Sequence, residues 1–325
     1  MKARHSFATV LVAVIVAAAP GCDNVDLGRA DVQIVYPPPA GGSDGAGSGR
    51  GRQGLPSGSV LFHVVREEGG RNRLIPIAEV LAGELRELRR PGEVSPQAYQ
   101  QRFRETVLEP GSQFALFAAG SRVGTLQVNG HGPATRCGVP TATGTVNTVA
   151  AAADELELLA FREGLAPELR GDYSPPEIGG RIRTYTAIVA ERLILQHGLP
   201  RPRSWAGAQR DLQAVELDGG GSAEMAATYL SGDQLAPGAG DERGYSVFYL
   251  ASYDSRAGYT PFYSEVHSYA EEGKAAPRMV DHLDIFGDDR EGVILQLYGE
   301  EGSWYGAVAP GEGGRWSRIW EGGRC

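Results

Sequence analysis

Hydrophobic and polar positions divide the chain into a stretch where helical and strand periods alternate and a stretch where only the period of two persists. Ser59 to Val65 is a β-branched and aromatic run closed by Glu67-Glu68-Gly69-Gly70, which predicts a strand. Ile77, Leu81, Leu85 and Leu88 recur at helical spacing among charged residues and Pro91-Gly92 follows, so a helix is expected there. A second helix is expected from Ser95 as N-cap and Pro96 at the first helical position, with Tyr99, Phe103 and Val107 on one stripe. Two strands, 113–118 and 122–128, read as a hairpin across Ala119-Gly120-Ser121, and a third covers 141–149. Residues 150–165 fit either a helix or a strand. The strongest helical pattern is 179–197, where Ile182, Tyr185, Val189 and Leu193 share a stripe and Gly198 and Pro200 supply the stop.

Beyond Pro202 the pattern becomes short aromatic and β-branched runs separated by Gly, Asp and Pro, the mark of a β-rich region. The expected fold class is α+β: a mixed helix/strand domain over 59–200, then an antiparallel β-rich domain over 201–325. The aromatic residues between Tyr245 and Trp320 leave two readings open. They are core, or part of them forms an exposed face of the kind that binds glycan or protein.

Ahead of these domains, Lys2 and Arg4 precede the apolar run Phe7 to Ala19, which ends in Ala19-Pro20-Gly21-Cys22. A charged start, a run too short for a bilayer and small residues at its end describe a cleaved export signal over residues 1–21. The segment resembles a bacterial lipoprotein signal, with Ala19 where that family usually has Leu. The resemblance implies that Cys22 carries the acyl chains, such as palmitate, and that the protein is lipid-anchored in the cell envelope, facing the periplasm or the outer surface. An ordinary secretory signal with an incidental Cys22 is the other reading. Residues 22–58, with Pro37-Pro38-Pro39 and a Gly/Ser run after them, read as a flexible tether.

The net charge of −9 becomes about −11 once Lys2 and Arg4 leave with the signal, which argues against nucleic acid as a partner. With Cys22 acylated, Cys137 and Cys325 remain as one available pair for a disulfide in an oxidising compartment. His131 lies near Cys137 in sequence, so a thiol and imidazole pair is a competing use of that cysteine.

Within the β-rich region, Ala214 to Met225 is echoed 68 residues later by His282 to Val293. The pair resembles the D-x-D-G-D-G-x-x-E loop of FG-GAP and VCBS-type repeats, in which acidic side chains gather around calcium. The resemblance implies two blade-like repeats, with Glu216, Asp218 and Glu224 of the first loop and Asp284 and Asp288 of the second as calcium ligands. Each loop departs from the full set, the first with Gly220 and the second with Phe286 and Gly292 at acidic positions. Calcium is therefore the one cofactor in view, and no cofactor at all is the alternative. His282, beside Asp281 and Asp284, reads as a solvated loop residue or as a transition-metal ligand.

No H-E-x-x-H, G-x-x-x-x-G-K or C-x-x-C occurs in the chain. The leading expectation is a membrane-anchored envelope lipoprotein with a non-catalytic interaction or structural role, meeting an envelope protein or a glycan. The alternative is a secreted hydrolase whose site assembles from residues distant in sequence.

Overall fold

A computed structural model describes residues 54–67, 70–89, 94–168 and 172–324, which belong to one compact unit spanning 49–325. Cys22, Cys325, the signal and most of the tether lie outside the described residues. The architecture is mostly β, with antiparallel sheets and few helices. Among the described residues no helix is long and apolar enough to cross a membrane.

The first sheet contains β1 (Ser59–Arg66), β2 (Asn72–Leu81), β3 (Glu84–Arg86), β4 (Gln113–Ala118), β5 (Ser121–Ala134), β6 (Pro140–Thr148) and β7 (Glu157–Arg162). Its order is β1-β7-β4-β5-β6-β2-β3, and β1 also pairs with β2, so six strands close into a barrel with β3 on its rim. Closure leaves these six without a free edge. Phe62, Val64, Phe114, Leu116, Leu158 and Ala160 point into the barrel, where Tyr99 and Phe103 of helix α1 (Pro96–Thr106) join them. The alternate residues Leu61, Ala115, Phe117, Leu159 and Phe161 are buried on the outside. Both faces of these strands are covered, so their sequences are continuous apolar runs and not alternating ones.

The helix expected at Ile77–Leu88 is not formed. Ile77 and Leu81 lie in β2, Leu85 lies in β3 and Leu88 follows it, and the two strands are joined by Ala82-Gly83 with φ of 53° and 76°. Two consecutive left-handed residues make the hairpin turn that matches strand twist, and they end any helix. Pairing of β2 with both β1 and β6 outweighs the local helical spacing. By contrast α1 forms as read, with the Ser95 hydroxyl accepting from Ala98 N, and the 150–165 stretch resolves into a short 3₁₀ turn and β7.

Helix α2 (Gly180–Gln196) leads into two further sheets. One is a meander of β8 (Gln209–Val215), β9 (Glu224–Ser231), β10 (Tyr245–Asp254) and β11 (Gly258–Ser268); the other is a meander of β12 (Ala276–Leu283), β13 (Gly292–Tyr298), β14 (Ser303–Pro310) and β15 (Trp316–Glu321). The elements stack in layers. Ile182, Val189 and Leu193 of α2 cover Met225, Tyr229 and Val247 on one face of the first meander. Its other face, with Ala226, Phe248 and Leu250, meets Met279, Val293 and Leu295 of the second meander. The far face of the second meander, with Val280, Ile294 and Ala307, packs on the outside of the barrel. Every aromatic residue from Tyr245 to Trp320 is buried or half-buried, so the exposed aromatic face is not formed.

Candidate functional site

The loop 216–223 joins β8 to β9, and the loop 284–291 joins β12 to β13. Each is the first connection of a four-stranded meander, so the sequence echo falls at matching places in the two sheets. In the first loop, carboxylate oxygens of Glu216, Asp218 and Glu224 lie within 4.8 Å of one another. Each also accepts a loop N–H: Glu224 from Leu217 at 2.8 Å, Asp218 from Gly220 at 2.7 Å and Glu216 from Gly221 at 3.3 Å. Burial raises the Glu224 carboxyl to about 7, against the pull of the Leu217 N–H and with the help of the Asp218 and Glu216 charges.

The second loop uses its acids differently. Asp284 accepts from the backbone N–H groups of Gly287, Asp288 and Asp289 at 2.8, 3.0 and 2.9 Å, closing its own turn. Asp288 pairs with Arg290 on the surface. The structure therefore groups the three acids of the first loop, while Asp284 and Asp288 serve the second loop's own turn and surface pair. Both loops border one open cleft of about 710 Å³, to which they bring Glu216, Asp218, Glu224, Asp289 and Glu291 against the single cation Arg290.

A buried polar seam that the sequence did not reveal joins the barrel to the second meander. His63 faces outward from β1, 1% exposed, with Nδ1 2.9 Å from the Tyr305 hydroxyl and Nε2 3.2 Å from Glu157. Arg278 of β12 grips both carboxylate oxygens of Glu157 at 2.5 and 2.6 Å and reaches Gln296 and Tyr298 at 2.8 and 3.1 Å. Burial pushes the Glu157 carboxyl up, but His63 and Arg278 outweigh it and hold the group at about 2. Burial keeps His63 below the usual imidazole range, so the ring is neutral, with Nδ1 against the Tyr305 hydroxyl and Nε2 facing Glu157. The signal in the sequence was a lone His inside the apolar run Val60–Val65, which carries no partner information by itself.

A second polar cluster lies where the β4–β5 hairpin meets β12. Ala119 N donates to both oxygens of Asp281 at 3.1 and 3.2 Å, and Gly120 N donates to the His282 carbonyl at 3.2 Å. Gly120 has φ of +71°, which favours glycine, and a Cβ there would stand 3.2 Å from Glu291 and 3.3 Å from the His282 ring, close enough that one of these side chains would have to shift. The imidazole Nδ1 of His282 is 3.0 Å from Glu291, and its Nε2 is buried without a hydrogen-bond partner. His282 is thus a buried strand residue, and the solvated-loop reading is corrected. Burial opposes its protonation, but Glu291 and Asp281 outweigh that and raise its pKa. Burial raises the Asp281 carboxyl to about 7 despite the His282 ring and the two N–H donors.

His282 and Asp281 also border a cavity of about 440 Å³ between the hairpin tip, residues 154–157, the segment 175–178, β8 and β12. At the opposite end of β5, His131 bonds the Leu108 carbonyl at 3.1 Å, while the Cys137 sulfur lies 3.7 Å from the Gly323 carbonyl oxygen, two residues before Cys325. Comparison with known proteins found no match, whether to a family model, a curated protein or a solved structure.

Proposed function

We propose that the chain is an exported lipoprotein, anchored through Cys22 in the cell envelope, whose body is a non-catalytic binding module held off the membrane by the 22–58 tether. The observation that carries the binding role is the convergence of two matching loops on one acidic cleft, since loops on a rigid sheet scaffold are where recognition residues gather. In this reading the two meanders are diverged blade-like repeats, and the partner is an envelope protein or glycan. Cys137 and Cys325 form a disulfide that fixes the chain end to the barrel, a pairing favoured by the closeness of Cys137 to Gly323.

Growth with labelled palmitate tests the anchor. Label in the wild-type chain and none in Cys22→Ser is the expected result, and an unlabelled wild-type chain overturns it. Recovery of a partner from cross-linked envelope, lost when Glu216 and Asp218 become Ala, is expected for the cleft.

A hydrolase is the second reading, and one observation favours it. Asp281, raised to about 7, and Glu157, held at about 2, border the same cavity, and carboxyls pushed apart in this way are suited to acid and base roles. Turnover of a glycoside in a substrate screen, abolished by Asp281→Asn with folding intact, would establish it over the binding reading.

A further inference from the structure

Lysine is almost absent from this chain. Lys2 and Lys274 are its only two, and apart from histidine every other cationic side chain is Arg. Burial alone does not explain the exception, because Arg278 serves as the cation of the buried Glu157 seam. What separates the two side chains is chemistry: a guanidinium keeps its charge, whereas an amine that gives up a proton is a nucleophile.

Lys274 lies in the connection from the first meander to the second, and Asp233 lies in the connection from β9 to β10. Lys274 Nζ donates to Asp233 Oδ1 at 2.8 Å and to the Ala236 and Gln234 carbonyls at 2.7 and 3.4 Å. The Lys274 and Asp233 side chains are 2% and 6% exposed. Two ions taken so far out of water carry a desolvation cost that a neutral product of the same atoms avoids. Beside the ion pair, Asp233 Oδ2 and the Tyr269 hydroxyl are both buried with no hydrogen-bond partner. They are neighbours, since a Cβ on Gly240 would stand 2.8 Å from the Tyr269 ring and 3.2 Å from Oδ2. Burial and the Asp233 carboxylate hold the proton on Tyr269, so the phenol is a donor beside the oxygen that lacks one. Asp233 and Lys274 border an open cleft of about 530 Å³.

We propose that Lys274 and Asp233 join in an intramolecular isopeptide bond, made by the folded chain itself. One proton passes from the ammonium to the carboxylate, which leaves a free amine against a carboxylic acid. Nζ then attacks Cγ and the N–C bond forms. The Cγ–Oδ2 bond breaks as Tyr269 donates a proton to the departing oxygen, and the nitrogen returns a proton to Tyr269. One water leaves through the cleft, the ion pair becomes a neutral amide, and no oxidant, reductant or other reactant is consumed. The bond ties the β9–β10 connection to the crossover between the meanders, a staple indifferent to the redox state of its surroundings.

Tryptic digestion of the purified full chain, read by mass spectrometry, tests this. A Lys274 carrying an amide is not cleaved, so the expected product joins residues 211–243 to 257–278. It should be lighter by about 18 Da, one water, than the two peptides together. Lys274→Arg and Asp233→Ala are expected to yield no linked product. Wild-type chain that gives only free 257–274 after prolonged incubation in its folded state overturns the proposal, and that reading needs no variant to fold. Equal linkage in chain held in denaturant overturns the claim that the fold makes the bond. Tyr269→Phe is expected to slow linkage during in vitro synthesis by about a hundredfold or more, and an equal rate overturns the role given to Tyr269.

Discussion

Two polar clusters sit in the layered body, and they have opposite electrostatic characters. Around Glu157 a fixed guanidinium is present, and the carboxylate remains ionised to about 2 although it is largely buried. Around Asp281 the wall holds no guanidinium or ammonium, and the carboxyl rises to about 7. Both acids border the same cavity, so the contrast comes from the partner each was given. A buried carboxylate needs positive charge supplied by the chain, by a proton or by a ligand. The charge of Glu157 is balanced by a guanidinium of the chain, whereas Asp281 is neutralised by its own proton up to about pH 7.

The largest effect is expected from breaking the finished seam. Arg278→Ala leaves Glu157 buried without its partner and should cost about 3–5 kcal/mol in urea unfolding. Arg278→Met combined with Glu157→Leu should recover much of that loss, because neither variant side chain leaves a buried charge behind. Gly120→Ala strikes the other cluster. It forces a left-handed alanine against His282 and Glu291 and should cost about 1–3 kcal/mol by the same measurement.

The pH dependence should separate the two clusters by sign. Asp281 and Glu224 have folded values near 7, above their unfolded values near 4, so they bind protons on folding. Their stabilising contribution is full below about pH 4 and is lost as pH rises through 7. His282, also raised, loses its contribution on the same rise. Glu157 works the other way, stabilising above about pH 4.5 and losing that contribution as pH falls towards 2. Buried neutral His63 adds a loss as pH falls below 6.5. Asp281→Asn should therefore flatten the decline of stability between pH 5 and 8, and Glu157→Gln should flatten the acid limb. Chemical unfolding across pH reads both.

Smaller effects complete the contrast. Tyr305→Phe removes the hydrogen bond with His63 and should cost about 1 kcal/mol. Arg290→Ala, at an exposed pair with Asp288, should leave the unfolding midpoint unchanged.

Where local chemistry decides structure, the sequence was readable. Ser95 and Pro96 start α1, the stripe on Ile182, Val189 and Leu193 identifies α2, and Ala119-Gly120 turns the β4–β5 hairpin. Both meanders lie beyond Pro202, in the region read as β-rich from short apolar runs punctuated by turn residues. Where long-range pairing decides, the reading was incomplete. Leu158 to Phe161 is apolar on both faces, so its period could not distinguish strand from helix. Ile77 to Leu88 mimics a helix because the Ala82-Gly83 turn resets the spacing. The acidic triad was visible as a local echo, but His63, Glu157 and Arg278 are separated by long stretches of chain and meet only once the barrel docks on the second meander.

The difference between the two clusters is tested most directly by carbon-13 NMR titration of the side-chain carboxyls, with Asp281→Asn and Glu157→Gln assigning the two resonances. Asp281 titrating near 7 while Glu157 stays ionised down to about 2 is the predicted result. Both carboxyls titrating together near 4 would contradict it.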